Sequence, residues 1–214
     1  MLKPQYNESR ECFNLDGFWD FAPGLDAQAI DLTGGLSESR SVAVPGSWNE
    51  QCLDLYNHFG AGWYQKRFYV SQRLFGRRLF LHFGSVCQNA TVWLNGVRIG
   101  EHCGPHLPFE FEITDVVQFG KENLLIVLAD GSLSADALPP ALVSDSDLRT
   151  GWSHSYPSVA YDFFPFSGIH RSVTVYSVAA ECHLEDVFVQ SHHVEGVASV
   201  QCEVNLSQCF EGNI

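Results

Sequence analysis

The chain has 214 residues, 45% of them hydrophobic and only 17% charged, a globular rather than a disordered composition. Asp and Glu number 25 against 12 Lys and Arg, leaving a net charge of −13. Such a field repels phosphate backbones and anionic bilayers and so excludes nucleic acid and membrane surfaces as partners, but it permits an acidic sugar wherever the local site is basic.

In chain order, Met1-Leu2-Lys3-Pro4-Gln5-Tyr6 lacks the apolar core of a secretory leader, and no apolar run is long enough to span a bilayer. Leu79, Leu81 and Phe83 alternate with Phe80 and His82, which predicts a strand with one set in a core and the other toward solvent. Thr91 to Ile99 is the strongest hairpin signal, because Asn95-Gly96 supplies the two positive-φ positions of a type I′ turn. A short helical turn is predicted near residues 115–119. The run Leu124-Leu125-Ile126-Val127-Leu128 is apolar on both faces, which suits a strand buried mid-sandwich. Val173 and Val175 alternate with Thr174 and Tyr176. A boundary is placed near residues 180–184, and two further strands follow, at residues 184–190 and 198–208. About thirty residues are too few for another β-sandwich, so the chain is expected to stop inside its second domain. Many short strands punctuated by Gly, Pro and Asn predict an all-β sandwich or jelly roll.

The seven cysteines are scattered, with no CxxC pair, which predicts a reduced, cytoplasmic chain. His102, Cys103 and His106 crowd one loop without the paired spacing of a zinc site, so no metal and no cofactor are assigned. No Ser/His or Cys/His pairing supports a nucleophile, and no catalytic residue is assigned.

Six segments, in order, resemble family 2 glycoside hydrolases and, within them, the β-glucuronidases. They are Leu15 to Phe21, Val44-Pro45-Gly46-Ser47-Trp48-Asn49-Glu50, Gly62-Trp63-Tyr64-Gln65-Lys66-Arg67-Phe68, Val92-Trp93-Leu94-Asn95-Gly96, Glu101 to Glu110, and Tyr161-Asp162-Phe163-Phe164-Pro165-Phe166-Ser167-Gly168-Ile169-His170-Arg171-Ser172-Val173. The last is the most specific and favours β-glucuronidase over β-galactosidase. Three positions depart from the family pattern: Pro105, His106 and Pro165.

The resemblance implies a jelly-roll sugar-binding domain of the galactose-binding type over residues 1–182. It implies that residues 183–214 are the first strands of an incomplete immunoglobulin-like sandwich. A (β/α)₈ barrel, absent from this sequence, would carry the two catalytic glutamates, about 5–5.5 Å apart, of a retaining enzyme. The chain alone is therefore expected to be inactive. Its implied partners are a β-glucuronide, the missing barrel and, as a homo-oligomer, other copies of itself. By the same resemblance Asp162 reaches into the barrel's pocket, where a carboxylate can accept two hydrogen bonds from sugar hydroxyls. Phe163 and Phe164 are candidates for stacking on the sugar, although core or interface packing is the commoner role of such rings. Arg171 is a candidate partner for a substrate carboxylate, against a structural ion pair. Trp48, Asn49, Trp63 and Tyr64 are explained by packing and turn formation. Rival readings are a stand-alone carbohydrate-binding module, a piece of another family 2 glycosidase such as a β-galactosidase, and a purely structural or interaction domain. An exposed apolar patch is predicted at residues 163–166.

Overall fold

The computed structural model describes residues 3–26, 30–136, 140, 149–151, 154–156 and 163–208. The strands in chain order are β1 (Glu11–Asn14), β2 (Gly17–Pro23), β3 (Arg40–Val44), β4 (Ala61–Val70), β5 (Arg78–Phe83), β6 (Asn89–Leu94), β7 (Val97–Cys103), β8 (Phe109–Glu112), β9 (Lys121–Asp130), β10 (Arg149–Gly151), β11 (His154–Tyr156), β12 (Val173–Val178), β13 (Leu184–Val194) and β14 (Val197–Leu206). Among the described residues, one short helix, α1 (Trp48–Gln51), and 3₁₀ turns at Leu53–Leu55 and Gln72–Leu74 complete the elements. The protein is a β-sandwich. A four-stranded sheet in the order β1-β12-β5-β8 faces a six-stranded sheet in the order β3-β2-β4-β9-β6-β7, all antiparallel.

The core follows from alternation. Leu79, Leu81, Phe83, Val173 and Val175 from the four-stranded sheet meet Phe21, Tyr64, Val92, Leu125 and Val127 from the six-stranded one. Strand β9 is buried on both faces, as its unbroken apolar run predicts. Its other face joins Ala22, Trp63, Leu124 and Ile126 to a second cluster, covered by Leu25, Ile30, Leu32 and Leu36 of the β2–β3 connection. The Asn95-Gly96 hairpin also forms as predicted, with φ of 52° and 84°. Near residues 115–119 there is a turn rather than a helix, closed by Val117 N–H donating to the Ile113 carbonyl at 2.9 Å.

The outward face of the four-stranded sheet departs from simple alternation. His82, Thr174 and Tyr176 sit on the side assigned to solvent, yet all three are buried. The segment before β1 accounts for part of this cover: Pro4 is buried and the Arg10 guanidinium lies over the Tyr176 ring, 5.4 Å from its centroid. Phe80 stacks on the same ring at 5.2 Å. A strand whose outer face gains a covering segment buries both sets of side chains.

Strands β13 and β14 pair with each other and, among the described residues, with no other strand. Their turn is Glu195-Gly196, with φ of 50° and 82°. Val187, Val189, Val200 and Val204 share one exposed face of this hairpin. The described cysteines, Cys12, Cys52, Cys87, Cys103, Cys182 and Cys202, are free thiols.

Candidate functional site

The most family-specific segment ends at β12, and its described part, residues 163–172, lies on the rim of the sandwich. Three anchors hold it there. Ser167 N–H donates to Asn49 Oδ1 at 2.9 Å. Gly46 N–H donates to the Ile169 carbonyl at 2.8 Å, and the Ile169 side chain is fully buried in the core. Gly168 and Cys87 exchange backbone hydrogen bonds of 2.9 and 3.3 Å across an isolated bridge. Gly168 has φ of +120°, and a Cβ there would lie 2.5 Å from the Tyr64 hydroxyl oxygen, so only glycine fits.

Asn49 is the hub of these anchors. Ser47 caps α1, its Oγ accepting from Asn49 N–H at 3.1 Å, and this turns the Asn49 amide inward. Asn49 Nδ2 then donates to the carbonyls of Leu55, Tyr56 and His58 at 2.9–3.1 Å. Trp48 Nε1 donates to the His58 carbonyl at 3.0 Å. The Pro45-to-Asn49 motif thus ties the loop before β4 to the loop before β12. Burial drives the Tyr64 hydroxyl pKa well above its ordinary value, so it stays protonated beside this junction.

Of the predicted contact residues, Asp162 lies outside the described residues. Phe163 is exposed and presents its ring edge-on to His106, 6.4 Å away. Phe164 is 9% exposed and packs against Tyr56, Phe59 and Phe166, at 4.8, 5.6 and 4.8 Å. Of the run 163–166 only Phe163 is exposed, so the apolar patch predicted there reduces to one ring. Arg171 is exposed and donates from Nη1 to the His106 carbonyl at 3.2 Å. Among the described residues no carboxylate lies within ion-pairing distance of it. Among the described residues, the bond seen for Arg171 goes to the loop that bears Pro105 and His106.

A recess of about 100 Å³ opens beside the aromatic run, lined by Cys87, Gln88, Pro105, His106, Phe163 and Phe166 among others. Cys87 donates from Sγ to the Pro105 carbonyl at 3.2 Å, and burial pushes its thiol pKa up to about 12, outweighing the lowering effect of Arg171. It is therefore an inert thiol at neutral pH. His170 is held neutral: burial lowers its pKa most, His106 adds to the effect, and backbone groups of Ser167 and Phe166 oppose it. His102 stacks flat on Phe109 at 4.2 Å. The recess has no Asp or Glu in its described lining. Its described lining offers aromatic rings and hydrogen-bonding groups.

The residues that sequence reasoning undervalued are Asn49 and His82. Packing and turn formation explain Asn49 locally, but its partner Ser167 lies 118 residues away, beyond any local pattern.

Residues 53–179 match the family model for the sugar binding domain of glycosyl hydrolases family 2. The β-glucuronidase of Paenibacillus borealis is 31% identical over 206 residues, covering 94% of this chain and 34% of that protein. The human β-glucuronidase is 31% identical over 234 residues, covering 99% of this chain and 36% of that protein. Among solved structures, β-glucuronidase from an uncultured Clostridium superimposes with a TM-score of 0.84 at 30% identity, covering 97% of this chain and 36% of that one. Bifidobacterium dentium β-glucuronidase, solved with coumarin-3-O-glucuronide, gives 0.83 at 32%, covering 97% and 38%. The chain thus spans about a third of the length of the relatives it matches. It belongs to family 2 of the glycosyl hydrolases, as that family's sugar-binding domain.

Proposed function

We propose that the chain is the non-catalytic sugar-binding portion of a β-glucuronidase-type retaining hydrolase acting on β-glucuronides. In this reading the rim segment completes a pocket whose catalytic carboxylates sit on a separate barrel. The observation that carries it is the match to β-glucuronidases along nearly the whole chain, rim included. The anchoring by Asn49, Gly46 and Cys87 supports it, because a segment pinned at three points presents its neighbours with little loss of freedom on binding. Asp162 directly precedes that segment and would accept hydrogen bonds from sugar hydroxyls. The exposed valine face of the β13–β14 hairpin supports reading residues 183–214 as the first strands of a second, immunoglobulin-like sandwich, with residues 1–182 as the jelly roll before it. Apolar strand faces pack against a second sheet.

A chromogenic glucuronide incubated with the 214-residue chain should show no turnover above background. In an enzyme joining this chain to a family 2 barrel, Asp162→Ala should lower kcat/KM by roughly tenfold to a hundredfold, the loss of one or two charge-assisted hydrogen bonds. Unchanged kcat/KM would remove Asp162 from the pocket, and turnover by the chain alone would overturn the non-catalytic assignment.

A further inference from the structure

A larger recess, of about 440 Å³, shares His170 with the one beside the aromatic run and is lined by Arg171 as well. That volume falls within the range of about 300–1,000 Å³ typical of small-molecule sites. Lys3, His82, His170 and Arg171 supply its polar groups, and Pro45 and Pro108 form apolar wall. Among the described residues no Asp or Glu lines it, in a chain of net charge −13.

His82 is the unusual member. It is 2% exposed, and among the described residues neither ring nitrogen has a hydrogen-bond partner outside its own backbone. A buried polar group in that state is costly unless something else bonds to it. Its neighbours do not supply the partner. Across the sheet it stands opposite Thr174 on β12 and Glu110 on β8. Glu110 engages the Tyr176 hydroxyl and lines other clefts. From the covering segment Lys3 faces it, and from the rim His170 and Arg171 do. Among the described residues His170 Nε2 also lacks a partner. Among the described residues Arg171 commits only Nη1, to the His106 carbonyl, leaving the rest of its fork of donors.

We propose that this recess is a second carbohydrate subsite that takes a single hexuronic acid unit. Lys3 and Arg171 receive the carboxylate, and His82 and His170 hydrogen-bond ring hydroxyls. A neutral imidazole offers one donor and one acceptor, which suits a hydroxyl. A guanidinium and an ammonium suit a carboxylate. The sugar part rests on the family reading above, whereas the preference for an anion rests on the lining residues alone.

The test is titration of the 214-residue chain with sodium glucuronate, glucose and sodium acetate, followed by calorimetry and by backbone amide shifts. Glucuronate should shift residues 3, 82, 170 and 171 and bind at least about fivefold tighter than glucose, with the advantage shrinking as salt is added. The double variant Lys3→Gln with Arg171→Gln, both exposed positions, should bring glucuronate down to the affinity of glucose. His82→Phe, which keeps a ring in place, should weaken both sugars about tenfold. Equal affinity for glucose and glucuronate would overturn the charge assignment, and acetate binding as tightly as glucuronate would overturn the sugar assignment. Shifts confined to residues 163–166, or binding of neither sugar, would overturn the subsite. Should these variants leave glucuronate binding unchanged while Asp162→Ala still cripples the barrel-joined enzyme, the subsite falls and the proposed function stands.

Discussion

The side chain of Asn49 shows how one buried amide joins distant parts of the chain. It is 1% exposed, donates to three carbonyls and accepts from Ser167 N–H. Asn49→Ala strands a backbone N–H and several carbonyls in the interior, and each such group costs about 1–3 kcal/mol. Urea denaturation should show a loss of about 2–4 kcal/mol, with the midpoint lowered and the m-value unchanged. Asn49→Asp keeps the acceptor but sets a carboxylate against three carbonyls, so it should cost at least as much. An unchanged midpoint for either variant would mean that Asn49 does not hold the rim.

Among the elements, β4 has its tightest contact at a residue without a side chain. A Cβ on Gly62 would lie 2.6 Å from the Trp48 ring and 2.8 Å from the Phe21 ring, which themselves stack at 5.4 Å. Gly62→Ala therefore overpacks the core and should cost about 1–3 kcal/mol, read as a lowered thermal midpoint. Much of this architecture was legible in the sequence where alternation or turn chemistry acts locally. Leu79, Leu81 and Phe83 named their core face, Leu124 to Leu128 named a strand buried on both sides, and Asn95-Gly96 named a hairpin. The outer faces of β5 and β12 were not legible, because Pro4 and Arg10 cover them from far away in the chain. The Glu195-Gly196 turn was missed because glutamate is an uncommon residue at positive φ. At the candidate site the composition of the rim was legible in the family motif. Its anchoring was not, since Asn49 with Ser167, and Cys87 with Gly168, are pairings set by the folded sheets. The recess under His82 was hidden for the same reason.

At the scale of the molecule, protonation sets a pH window. The pKa values of His82, His170 and His183 are all lowered, in each case chiefly by burial. Each binds a proton more readily unfolded than folded, so its contribution is complete above its ordinary pKa of 6.5 and declines as pH falls below that value. Glu110 runs the other way: burial raises its pKa, so it favours the fold at the acid end and withdraws that support as pH rises. Three histidines against one glutamate predict a thermal midpoint that climbs between about pH 5 and pH 7.5. His82→Phe should flatten that climb, and a flat profile in the parent chain would refute the assignment.

Strand β9 is hydrogen-bonded along both edges, to β4 and to β6, and is packed on both faces. Removing it would divide the larger sheet into a ribbon of β3, β2 and β4 and a ribbon of β6 and β7, neither of which could keep its apolar sides dry. The sandwich therefore cannot peel apart from its middle. Fraying is confined to its rims and outer strands, and full opening is a single event that exposes both clusters together.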